Sequence, residues 1–63
     1  MRYIDVDRAL VAAGFVNTRS NGSHFFYVNS KTGRRTTVPK HRKDIPIGTL
    51  KNIERQAGVT LTK

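Results

Sequence analysis

Two histidines and four carboxylates make up the conventional acid–base inventory of this 63-residue chain, which also holds 12 lysines and arginines and no cysteine. His24 follows Asn21-Gly22-Ser23 and opens an aromatic run, Phe25-Phe26-Tyr27. His41 lies inside a basic stretch, Lys40-His41-Arg42-Lys43. An imidazole accepts and returns protons near neutral pH, because its unperturbed pKa is about 6.5. Guanidinium and ammonium groups nearby suit a reaction that builds negative charge. The chain therefore has the parts for acid–base work on an anion.

Metal chemistry finds little support. The acids are Asp5, Asp7, Asp44 and Glu54, spread along the chain rather than clustered as magnesium would require. His24, His41 and Asp44 match no tight zinc-ligand spacing, and without cysteine there is no thiolate site. No metal and no small-molecule cofactor is expected.

The net charge of +8 calls for a polyanionic partner: nucleic acid, an acidic protein or a membrane surface. The absence of cysteine fits a reducing compartment, and the first ten residues carry charges where a signal peptide would carry an apolar run, so a cytoplasmic protein is expected. Residues 1–63 read as a single domain. A domain this small buries only about 60% of the surface its unfolded chain exposes. With no disulfide available, its stability must rest on a compact apolar core.

Periodicity supplies the scaffold. Val6, Ala9, Leu10 and Ala13 recur at helical spacing, with Asp5 and Asp7 near the start and Gly14 as a stop, which predicts a helix over about 5–13. Residues 15–20 read as extended. Asn21-Gly22 is expected to form the centre of a type I′ turn, and 23–29 a second strand. A turn at Ser30-Lys31-Thr32-Gly33 leads to a third strand over 34–38, ended by Pro39. Pro46 suits the first position of a second helix over 46–57, with Ile47, Leu50, Ile53 and Ala57 as its apolar stripe and Gly58 as its stop. Val59 to Lys63 is left as a tail or short strand. The order is α-β-β-β-α: an α+β domain of two layers, with a three-stranded antiparallel sheet carrying two helices on one face.

Strand alternation sets Phe25 and Tyr27 on one sheet face and His24, Phe26 and Val28 on the other, while Thr36 and Val38 oppose Arg35 and Thr37. We take Phe25 and Tyr27 as the helix-facing pair. His24 then stands on the open face beside Phe26, which could stack on a base, lie in a protein interface or simply pack in the core.

Gly22-Ser23-His24, Thr37-Val38-Pro39-Lys40-His41, the stretch from Ile47 to Ile53, Ala57-Gly58 and Ala13-Gly14-Phe15 appear together in an order and spacing that resembles the HicA toxin family of bacterial toxin–antitoxin systems. The resemblance spans about Leu10 to Val59. It implies a fold similar to a double-stranded RNA-binding domain, an endoribonuclease activity on mRNA that arrests growth, and a HicB-like antitoxin that masks the site. The family's catalytic histidine corresponds to His24.

That assignment makes chemical sense. RNA carries its own nucleophile, so a ribonuclease needs only to take the 2′-OH proton, neutralise the crowded phosphorane and protonate the leaving 5′-oxygen. The candidates for holding RNA are Arg19 before the turn and Lys40, Arg42 and Lys43 in the basic stretch, any of which could equally be a solvated loop cation. His41 could be a phosphate contact, a second acid–base group or a structural cap; phosphate binding or structure is favoured. Gly22 and Ser23 complete the set, although turn geometry accounts for Gly22 by itself and Ser23 could pair with the turn backbone. The rival reading is a non-catalytic RNA-binding module of the same fold. Such modules usually carry lysines at the start of the second helix, where this chain has Ile45-Pro46-Ile47-Gly48-Thr49.

Overall fold

The structure is a computed structural model that describes residues 1–40 and 44–61. Its elements run α1 (Tyr3–Ala12), β1 (Val16–Asn21), β2 (His24–Val28), β3 (Arg35–Pro39) and α2 (Ile47–Ala57). The strands form one antiparallel sheet in the order β1-β2-β3. This is the α+β arrangement expected from the periodicity.

Helix α1 starts two residues earlier than the acidic pair suggests. Asp5 occupies the third helical position, and its carboxylate accepts the Arg2 backbone N–H at 3.0 Å, satisfying a donor the helix start would leave unpaired. Asp7 has a different task. It accepts the Tyr27 hydroxyl at 2.5 Å and so ties α1 to β2. At the other helix, Pro46 is the N-cap rather than the first helical residue, and Gly58 ends the helix in the left-handed conformation.

The turn between β1 and β2 also differs from expectation. Asn21 is the last residue of β1, paired with His24, so the central pair is Gly22-Ser23. Gly22 has φ +61°, and no residue other than glycine has positive φ among the described residues. A type I′ turn needs positive φ at both central positions; positive φ at a leading glycine alone is the pattern of type II′.

Val6 and Leu10 of α1, Phe15, Tyr27, Val38, and Leu50, Ile53 and Ala57 of α2 form the core, joined by Ile45 and Leu61. Phe25 stacks on Tyr3 with ring centroids 5.3 Å apart. The helices thus cover the face bearing Phe25 and Tyr27. The tail folds back as well: the Leu61 N–H donates to the Glu54 carboxylate at 2.6 Å, and the Leu61 side chain is buried. Among the described residues no helix is long and apolar enough to cross a membrane.

Candidate functional site

Cross-strand pairing fixes what stands on the uncovered face. Residues paired across neighbouring strands share a face. The rows are Asn21–His24–Pro39, Arg19–Phe26–Thr37 and Val16–Val28–Arg35. His24 therefore lies in the first row, next to the hairpin turn, and its side chain is exposed. Its backbone is held on both sides, and the ladder extends one step further where the Lys40 N–H donates to the Ser23 carbonyl at 2.6 Å. The turn mouth that carries the imidazole is thereby pinned to the end of β3. Among the described residues no side-chain hydrogen bond restrains the imidazole.

Arg19 reaches this face through an irregularity. The pairing shifts between Asn17 and Arg19, leaving Thr18 as a β-bulge whose hydroxyl donates to the Phe26 carbonyl at 3.3 Å. In a regular strand Phe15 and Arg19, four residues apart, would share a face. The extra residue separates them: Phe15 enters the core, and the Arg19 guanidinium lies 4.8 Å from the centre of the Phe26 ring.

Helix α2 runs beside β3, and its polar flank rises past the sheet edge. Thr49, Asn52 and Gln56 of that flank line, with Ser23, His24 and Pro39, a depression of about 590 Å³. A second depression, of about 430 Å³, holds Arg19, Phe26, Val28 and Arg35. Thr37 and Gln56 line both, so the two make one furrow with the imidazole at one end and two guanidiniums at the other. Gln56 is held there by the Thr36 hydroxyl, which donates to its side-chain oxygen at 2.8 Å. The arrangement offers an accessible proton acceptor, cations for phosphates, and an aromatic floor.

Residues 4–59 match the family described as the HicA toxin of bacterial toxin–antitoxin systems. The chain belongs to the HicA toxin family. It is therefore the toxin component of a toxin–antitoxin pair, which implies an antitoxin partner. No curated protein matches it.

Within this HicA domain the fold gathers some of the residues singled out by the sequence and separates others. His24, Ser23 and Lys40 border one depression, and Arg19 lies in the adjoining one. The Lys40 ammonium points elsewhere, 5.9 Å from the Tyr3 ring centre and 5.8 Å from that of Phe25, over the aromatic pair on the helix-covered side. Gly22 serves the turn, and nothing lies within 4 Å of where a Cβ would sit. His41, Arg42 and Lys43 lie outside the described residues. Among the described residues no three potential metal ligands come together.

Sequence reasoning missed Arg35, Thr37, Asn52 and Gln56 as members of this HicA surface. A signal existed for each. Arg35 and Thr37 alternate with the buried Thr36 and Val38. Thr49, Asn52 and Gln56 follow helical spacing one step away from the apolar stripe.

Proposed function

We propose that this toxin is a metal-independent endoribonuclease that cleaves mRNA in the cytoplasm with His24 as its general acid–base group, and that a HicB-like antitoxin neutralises it by covering the same face. The observation that carries the reading is an exposed imidazole at the pinned turn, on the sheet face the helices leave open, in a furrow whose far end holds Arg19 and Arg35.

The imidazole takes the proton from a ribose 2′-OH. The 2′-oxygen then attacks the adjacent phosphorus, and the bond from phosphorus to the 5′-oxygen breaks. The products are a 2′,3′-cyclic phosphate and a 5′-OH end, the leaving oxygen receiving its proton from the imidazolium or from water. Cationic side chains neutralise the extra charge on the phosphorane. The nucleophile belongs to the substrate, so the protein needs neither a metal-bound hydroxide nor a nucleophilic side chain.

Replacing His24 with Ala tests this directly. Loss of an acid–base group costs about 10²–10⁴-fold in rate. The H24A chain should unfold at the wild-type denaturant midpoint, bind RNA, cleave it at least about a hundredfold more slowly in the presence of a chelator, and no longer arrest growth on expression. Cleavage by H24A at the wild-type rate overturns the assignment. A folded wild-type chain that binds RNA without cutting it points to the non-catalytic module.

A further inference from the structure

The furrow contains more than a proton acceptor needs. Its second depression has a partly buried aromatic floor at Phe26, flanked by Val28, and hydrogen-bonding groups along one side at Thr37 and Gln56. The Arg19 guanidinium lies over the Phe26 ring, 4.8 Å from its centre, and Arg35 supplies a second cation to the lining. A guanidinium plane laid over an aromatic ring, an edge of amide and hydroxyl groups and a second guanidinium match one chemical object well: a nucleobase on its sugar–phosphate chain. The volume of about 430 Å³ lies within the range of small-ligand sites, about 300–1,000 Å³.

Its place relative to His24 is set by the strand. His24 and Phe26 are two residues apart on one face of β2, a separation of about 7 Å that one nucleotide can span. We propose that this depression is a base slot: it takes the unstacked base of single-stranded RNA next to the phosphodiester held at His24, with the base on Phe26 and Arg19 and its edge toward Thr37 and Gln56. The slot rests on the reading of this face as RNA-binding but not on catalysis by His24.

A duplex does not fit the requirement, since its bases are stacked and paired and cannot be laid on a protein ring. Charge alone does not explain the site either. Phosphate binding needs Arg19 and Arg35 but has no use for Phe26, Val28 and the side-chain amide of Gln56. The slot therefore assigns the substrate as single-stranded and predicts that the identity of one base beside the cut affects its choice.

The test is binding of short 2′-O-methyl oligonucleotides, which lack the nucleophile and stay intact, against abasic chains of equal length and charge. Wild type should prefer the base-bearing probe about 5-fold to 100-fold, the range expected for one stacked base. F26L, which keeps an apolar side chain on the solvent face, should lose that preference and bind the abasic chain as before. T37L, which fills part of the depression beside its cross-strand partner Phe26 without adding a ring, should do the same; denaturant midpoints show that each variant is folded. Equal binding of both probes by wild type overturns the slot, as does an equal loss for both probes in the variants, or an F26L effect confined to the protein partner. Base preference in a wild type that fails to cleave supports the slot and counts only against the role of His24.

Discussion

The guanidinium of Arg19 lies 4.8 Å from the centre of the Phe26 ring because one extra residue, Thr18, interrupts the pairing of β1 with β2. The same bulge allows Phe15 to be buried, at 2% exposure. A strand with strict alternation would place both residues on one face, so either the core would lose an aromatic or the furrow would lose a cation. The bulge thus reconciles packing with the candidate site.

If Arg19 and Arg35 hold phosphates, each should carry its share of the salt dependence of RNA binding. R19Q and R35Q are each expected to lower the slope of log affinity against log salt by about 0.7, the value for one contact to a single strand. K40Q should change it less, because the Lys40 ammonium sits over Tyr3 and Phe25. Binding titrations across a salt series check this. A K40Q effect equal to that of R19Q would move the RNA path toward the helix-covered side.

The Tyr27–Asp7 contact makes a pH prediction. Burial, then the hydrogen bond to Asp7 and its negative charge, hold the Tyr27 phenol above its ordinary pKa of 10.0. A raised folded-state pKa means that the folded chain keeps a proton the unfolded chain releases. The stabilisation is complete below the unfolded value and is lost as pH rises past about 10 toward the folded value. Urea midpoints should therefore fall above about pH 10. Y27F should cost about 1–2 kcal/mol at neutral pH through the lost hydrogen bond and flatten that alkaline decline. A Y27F chain with the same alkaline decline as wild type would place its cause elsewhere.

Asn29 is a buried polar residue with a structural task. Its amide donates to the Ala13 carbonyl at 3.1 Å, and its oxygen accepts the N–H groups of Lys31 at 3.0 Å and Thr32 at 3.4 Å, joining the end of α1 to the β2–β3 turn. N29A leaves these groups without their partner and should destabilise the fold by about 2–3 kcal/mol. N29D keeps the acceptor but sets a carboxylate against the Ala13 carbonyl, and should recover only part of the loss. Chemical denaturation measures both, and a neutral N29A would remove Asn29 from the account of stability.

Gly58 couples the end of α2 to Arg34. It has φ +71°, and a Cβ there would meet the Arg34 Nε at 3.0 Å. The same guanidinium donates to the carbonyls of Arg55 at 3.3 Å and Gln56 at 3.4 Å, partners the helix end would otherwise lack. G58A should cost about 1–2 kcal/mol from the backbone conformation alone. R34A should also destabilise, and the two losses should fail to add because one contact is shared. Additive losses in the double variant would separate the two effects.

Much of this fold is local and could be read from the chain. The i, i+3, i+4 stripes gave both helices to within two residues at each end, and aromatic and β-branched runs between turn residues gave three strands. Alternation grouped Phe25 with Tyr27 and His24 with Phe26, since side-chain direction in a strand has a period of two residues. Both groups hold apolar residues, so the choice of Phe25 and Tyr27 as the helix-facing pair was decided by the packing of Tyr27 in the core and of Phe25 on Tyr3. The ordered motifs gave the family. Turn type was less legible. Asn-Gly favours type I′ in isolation, yet the pairing that fits β2 to its neighbours moves the turn centre to Gly22-Ser23. The bulge at Thr18 left no local signature either, because it answers a demand from the other side of the sheet.

The sequence by itself determined the elements, their order and which strand residues share a face with the histidine, all of which depend on neighbours a few residues away. Only the tertiary structure decided the furrow. Arg19, Arg35 and Gln56 meet across long stretches of chain because a bulge re-aims one strand and a helix packs beside the edge of another, and those placements follow from how the core fills rather than from any local pattern.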